Sequence, residues 1–162
     1  MIEIKLNREE LSQGAHLGVD RLVEIWRPGC VAHWDRNIEG ALAELAVARA
    51  LGLDFIPTIN TFHEIADIGE EIEVRWTKGR RGSLLIGDND EETRIFVLVT
   101  GRSPSYLLPG WAYGTDIKSQ GNFVTEYKEK HQLWGMPQER LRPTEDLIKL
   151  LKKHDNNDDR KN

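Results

Sequence analysis

The sequence predicts an α/β domain, a β-sheet with helices packed on it, and three stretches predict it. Residues 38–51, IEGALAELAVARAL, read as a regular alanine- and leucine-rich helix. Residues 72–77, IEVRWT, alternate apolar and polar side chains with the two-residue period of a strand. Residues 94–101, RIFVLVTG, form a continuous apolar run, the pattern of a strand covered on both faces and therefore central.

The remaining elements follow in chain order. Residues 2–6 alternate and predict a short edge strand. Asn7 followed three residues later by Glu10 matches a capping box, which opens a helix from Arg8 to Trp26 that Gly14 and Gly18 weaken. Pro28-Gly29 stops it. Residues 27–37 read as a loop, with Trp34 tucked into the core. Gly52 ends the helix of residues 38–51 as a C-cap. Residues 56–65 read as loop, and His63 and Glu64 lie close in sequence to Asp67. An apolar run ending at Asp67, a turn at Gly69 and the strand 72–77 make a hairpin. Residues 83–87 predict another strand, and the acidic DNDEE of residues 88–92 a solvated turn. Tyr106 to Tyr113 predict a strand broken at Pro109-Gly110, and residues 119–131 carry little signal. Leu133 to Leu141 read as loop. Thr144 caps an amphipathic helix over Glu145–Lys153, and residues 154–162 read as a disordered tail. The whole is predicted to be one domain over residues 1–153.

Composition narrows the function classes. A chain of 162 residues with 39% hydrophobic and 30% charged residues can bury a core. No apolar run approaches the roughly 18 residues of a membrane span. The start, MIEIKLNREE, lacks the basic and apolar regions of a signal peptide. Cys30 is the only cysteine, which excludes an internal disulfide and a cysteine-built zinc site. Together these features predict a cytoplasmic protein. A net charge of −5 argues against a strongly basic nucleic-acid binder. It leaves room for a local patch, and Arg75, Lys78, Arg80 and Arg81 fall within seven residues that contain no acid. That patch is a candidate nucleic-acid contact or a solvated hairpin tip.

The chemistry concentrates at the hairpin. Side chains change face at every residue of a strand, so Glu73 and Arg75 share one face while Ile72, Val74 and Trp76 share the other. Asp67 lies across the turn. Two carboxylates on neighbouring backbone segments can hold a hard divalent cation, which can polarise a phosphoryl oxygen and activate a water. The same spacing also suits a solvated hairpin face with a cross-strand ion pair. Glu44 is the other conspicuous acid. It lies between Ala43 and Leu45 in an otherwise small, apolar helix, where a carboxylate needs a partner if it is buried. Glu39, five residues earlier, lies about 140° away around the helix and does not share its face.

Asp67, five residues, Glu73, one residue, Arg75 resembles the signature of the PD-(D/E)XK nuclease superfamily, with arginine where lysine is usual. The resemblance extends to small phage and prophage proteins of that superfamily. It runs through EGALAELAVARALGL, NTFHEIADIGEEIEVRWT, LLI and a D-rich turn, FVLVTGRSP, LPGWAYG and MPQERLRP. It implies a restriction-endonuclease-like core, a central mixed β-sheet flanked by α-helices. It further implies Mg²⁺ or Mn²⁺ held by Asp67, Glu73 and the Val74 carbonyl, with Glu44 binding through water and Arg75 in the lysine position. Arginine is essentially always protonated and cannot act as a general base, but it can stabilise charge in the transition state. The implied activity is metal-dependent hydrolysis of DNA, with Lys78, Arg80 and Arg81 meeting the phosphates and a homodimer as one assembly. The alternatives are a nuclease fold that binds nucleic acid without cutting it, and a phage interaction protein displaying an apolar patch around Trp34 or Trp111.

Overall fold

The computed structural model describes residues 1–29, 33–59, 65–124 and 132–158. The chain begins with β1 (Ile2–Lys5) and turns at Asn7 into α1 (Arg8–Ile25). The capping box forms as its spacing predicts. The Asn7 side chain accepts the Glu10 N–H at 2.9 Å and the Glu10 carboxylate accepts the Asn7 N–H at 2.7 Å, which satisfies two of the helix's orphan donors. Helix α2 (Trp34–Leu51) packs against α1. A methyl group on Gly18 would come within 2.5 Å of the Ile38 Cα, and one on Gly14 within 2.5 Å of Leu42 Cδ2. The two glycines that lower helix propensity therefore allow the helices to approach closely.

The main sheet has the order β1-β5-β4-β2. Strand β2 (Ile72–Thr77) runs parallel to β4 (Ile95–Arg102), and β4 and β1 each run antiparallel to β5 (Ser105–Tyr113). The sheet is therefore mixed, with β4 inside it. A second sheet, β3-β7-β6, is antiparallel and built from β3 (Leu84–Gly87), β6 (Asn122–Val124) and β7 (Leu133–Met136). Helix α3 (Gly114–Gln120) follows β5, and α4 (Thr144–Asp158) closes the described chain.

Two cores follow from this layering. Ile72, Val74, Val97, Val99, Tyr106 and Leu108 project to one side, where Leu42, Leu45 and Ala46 of α2 and Leu147 of α4 meet them. Phe96, Leu98 and Ala112 project to the other, against Leu84, Ile86, Met136 and Ile117. Strand β4 is thus buried on both faces, as its unbroken apolar run requires. Among the described residues no helix is long and apolar enough to cross a membrane.

Several local expectations are corrected. Helix α2 starts at Trp34, so Trp34 belongs to its first turn, and it is 49% exposed where the sequence placed it in the core. Strand β5 runs unbroken through Pro109-Gly110. The register to β4 shifts between Leu98 and Thr100, so Pro109 falls at the irregularity, where a missing N–H costs the ladder nothing. Residues 133–136 are a strand instead of loop, because pairing with β3 and β6 gives this short segment its shape. Helix α4 extends through Asp158, past the predicted stop at residue 153. The last four residues of the expected tail, 159–162, lie outside the described residues.

Candidate functional site

Strand β2 is the outer strand of the main sheet on the side away from β1. The Ile95 N–H donates to the Glu71 carbonyl, and in a parallel ladder successive residues alternate in which neighbour they address. The backbone groups of Ile72 and Val74 therefore face the open edge. Ile72 exchanges both hydrogen bonds with Ile68, at 3.1 and 3.3 Å, across a tight turn that holds Gly69 at φ 62°, where an L side chain is strained. One step further along, the Val74 N–H donates to Asp67 Oδ2 at 2.7 Å. The first arm of the predicted hairpin is thus a single bridging residue, and its purpose is to fix Asp67 against the strand edge.

Glu73 and Arg75 project together, away from the α2 side, as the alternation of β2 requires. Glu73 is buried and both its oxygens are engaged. Arg94 Nη1 donates to Oε1, and Arg75 Nη1 donates to Oε2 at 3.1 Å. Arg75 also donates to the Val74 carbonyl at 3.2 Å and, through Nη2, to Asp90 Oδ1 at 2.7 Å. Its guanidinium carbon lies 5.1 Å from the centre of the Phe96 ring. Asp90 in turn accepts the Gly87 N–H at 2.7 Å, and the Lys118 ammonium donates to the Asp90 carbonyl at 3.1 Å. Part of the acidic turn predicted to be solvated is therefore folded inward onto Arg75, and Lys118 reaches the same turn.

Glu44 arrives from α2, on the opposite face of the sheet. It is buried and held by Arg21 through two bonds of 2.6 and 2.7 Å, while Arg21 Nε donates to the Thr58 carbonyl at 2.8 Å. Burial alone would lower the Arg21 pKa, but Glu44 and, more weakly, Asp67 hold it above its ordinary value. Burial likewise works against Arg94, and Glu73 followed by Glu91 holds it raised. Asp67 shows the converse. Burial, then the charges of Glu44 and Glu73, push its carboxyl up to about 7, although the Val74 N–H and Arg75 pull it back. Glu44 from one face and Glu73 from the other thus both act on Asp67 at the edge of β2.

Asp67, Glu73, Val74 and Arg75 meet at the β2 edge, whereas Glu44 lies across the sheet on Arg21 and reaches them only through its charge on Asp67. Lys78, Arg80 and Arg81 stand apart from these residues, exposed on the loop after β2, where the Gln138 side chain donates to the Arg80 and Gly82 carbonyls at 2.8 and 2.9 Å. His63 and Glu64 lie outside the described residues. Sequence reasoning missed three participants. Arg94 had a signal, since it is a charge opening the apolar run of β4. Arg21 and Asp90 had none that distinguishes them from ordinary surface charges, because only the fold brings them to the acids.

The donors are all oxygen, the class that Mg²⁺ and Mn²⁺ select. The Asp67 pKa is raised first by burial and then by the charges of Glu44 and Glu73. As the side chains are arranged, guanidinium groups occupy both oxygens of Glu44 and of Glu73. Accordingly, no group of three or more His, Cys, Asp or Glu among the described residues is disposed to hold a metal ion. A cation would have to displace at least the Arg75 contacts. Comparison of the chain with known protein families, with curated proteins and with solved structures finds no match.

Proposed function

We propose that this chain is a divalent-metal-dependent nuclease with a restriction-endonuclease-like core of the PD-(D/E)XK kind, hydrolysing phosphodiester bonds in DNA. The observation that carries the reading is Asp67, fixed on the edge of β2 with Glu44 and Glu73 both acting on it. Asp67, Glu73 and the Val74 carbonyl would hold Mg²⁺ or Mn²⁺, with Glu44 behind them. The ion, when bound, supplies polarisation of the phosphoryl oxygen and an acidified water. Arg75, released from Glu73, keeps its charge beside the reacting phosphate and stabilises the negative charge that develops there. It does not take the proton, because a guanidinium stays protonated at any working pH. Arg94 offsets the charge of the buried Glu73, and Arg21 that of the buried Glu44.

The test is cleavage of plasmid and oligonucleotide DNA in Mg²⁺ or Mn²⁺, with EDTA as the control. Asp67→Asn and Glu73→Gln each lower the rate by about a hundredfold or more, the usual effect of deleting a group that stabilises transition-state charge. If both variants are folded and cut at the wild-type rate, the reading is wrong.

The guanidinium-held carboxylates favour one second reading, a nuclease fold that binds DNA without cutting it. Salt-sensitive binding, weakened by replacing Lys78, Arg80 and Arg81 and accompanied by no cleavage in any metal, would select it. The interaction-protein reading rested on Trp34 and Trp111. Trp111 is only 3% exposed, which leaves Trp34, exposed beside Trp26 and Val23.

A further inference from the structure

A groove of about 440 Å³ opens off the acid cluster, bordered by β2 and the small sheet. Arg75 lines it and is also bonded to Glu73 and Asp90, so the groove and the carboxylates share a wall. Across the small sheet Leu85, Gly135 and Asn122 stand in register as one row. All three border the groove, with Gly135 as the buried middle of the row. Leu85 and Pro137 supply apolar surface, and Ser83 and Asn122 supply a hydroxyl and an amide. Among the described lining residues there is no carboxylate. The loop carrying Lys78, Arg80 and Arg81 leads into the groove, and Gly82, which follows them, lines it.

Apolar walls, a hydrogen-bonding edge and cations at the approaches are what one nucleotide presents in reverse: a flat base with polar edges, joined to anionic phosphates. The volume lies in the range of a small-molecule site and cannot admit a double helix. We propose that the groove receives one unpaired nucleotide of a single-stranded or locally opened nucleic acid. Its base lies over the Leu85–Gly135–Asn122 row, and its backbone passes Arg75 toward the acids. The assignment of cleavage to those acids rests on the function proposed above; the binding does not.

Fluorescence anisotropy in EDTA at low salt tests the binding, using a short single-stranded DNA, the RNA of the same sequence and the DNA duplex. The wild type is expected to bind single strands more tightly than duplex, the DNA and RNA arms identifying which strand the groove takes. Gly135→Val, which sets a branched side chain in the middle of the row, and Leu85→Glu, which sets a carboxylate on the groove, each weaken single-strand binding about tenfold, comparable to losing the stacking of one base. Leu85 is partly exposed, so its variant remains informative if Gly135→Val does not fold. Single-strand binding unchanged in a folded variant, or a wild-type preference for duplex, overturns the groove. The same proteins are then assayed for cleavage in Mn²⁺. Groove-dependent binding without cleavage removes the nuclease reading and leaves the groove standing. Cleavage of single strands that ignores both substitutions does the reverse, and failure to bind any nucleic acid removes both.

Discussion

Asp67 and Glu44 show how a side chain's neighbours set its energy. Asp67 keeps a proton to about pH 7 because burial and two nearby carboxylates oppose its ionisation. In the unfolded chain the same carboxyl ionises near pH 4. The folded-state pKa is therefore the higher one, and the unfolded chain gives up its proton first as pH rises. In metal-free buffer this residue's contribution to stability falls between about pH 4 and about pH 7 and is level above that. Asp67→Asn should consequently melt above the wild type at about pH 8 and close to it at about pH 4. Thermal melts in EDTA across that interval check the sign. Added Mn²⁺ should raise the wild-type melting temperature at the upper end and leave the variant's unchanged, if the acids hold an ion. Glu44 makes the complementary point. Arg21→Ala strands its buried carboxylate and should cost about 3 kcal/mol in urea unfolding, whereas Arg21→Met with Glu44→Leu should recover most of that loss.

The pairing of α1 with α2 depends on glycine at two positions, for a reason that helix propensity alone misreads. Glycine costs a helix up to about 1 kcal/mol relative to alanine. At Gly18 the added methyl would meet backbone, the Ile38 Cα, whereas at Gly14 it first meets the end of the Leu42 side chain, which can rotate. Gly18→Ala should therefore lower stability by about 1–3 kcal/mol despite its better propensity. Gly14→Ala should cost clearly less, as equilibrium unfolding of the two variants will show. Because Arg21 sits one turn beyond Gly18 on α1, forcing the helices apart should also loosen the Arg21–Glu44 pair. The capping box is a separate, local device, and Asn7→Ala should cost about 1 kcal/mol without altering the site.

At the scale of the molecule, the mixed sheet separates two cores, and the candidate site lies at its β2 edge, where side chains from both faces meet. Phe96 joins these roles: it is fully buried in the second core and lies under the Arg75 guanidinium. Phe96→Ala should destabilise the domain by about 3–5 kcal/mol. It should also release Arg75 from its ring, so DNA binding or cleavage should fall in protein that is still folded at low temperature. A variant that loses stability while keeping full activity would place Arg75 outside the chemistry.

The elements that owe their form to near neighbours were legible in the residues themselves. The Asn7–Glu10 box, the α2 run with Gly52 after it, the alternation of β2 and the unbroken apolar β4 all follow from periodicity and capping, which act within a few residues. The same alternation placed Glu73 and Arg75 on one face. Strand β7, the continuity of β5 through Pro109 and the inward turn of Asp90 were decided only by pairing and packing with segments far away in the chain. So were the partners of the acids, because an arginine on α1 looks the same in sequence whether it faces water or Glu44. Local sequence determined the start of α1, the body of α2, strands β2 and β4, and which of their faces are apolar. The tertiary structure decided which charges are buried together, since that depends on distances through space that no spacing along the chain encodes.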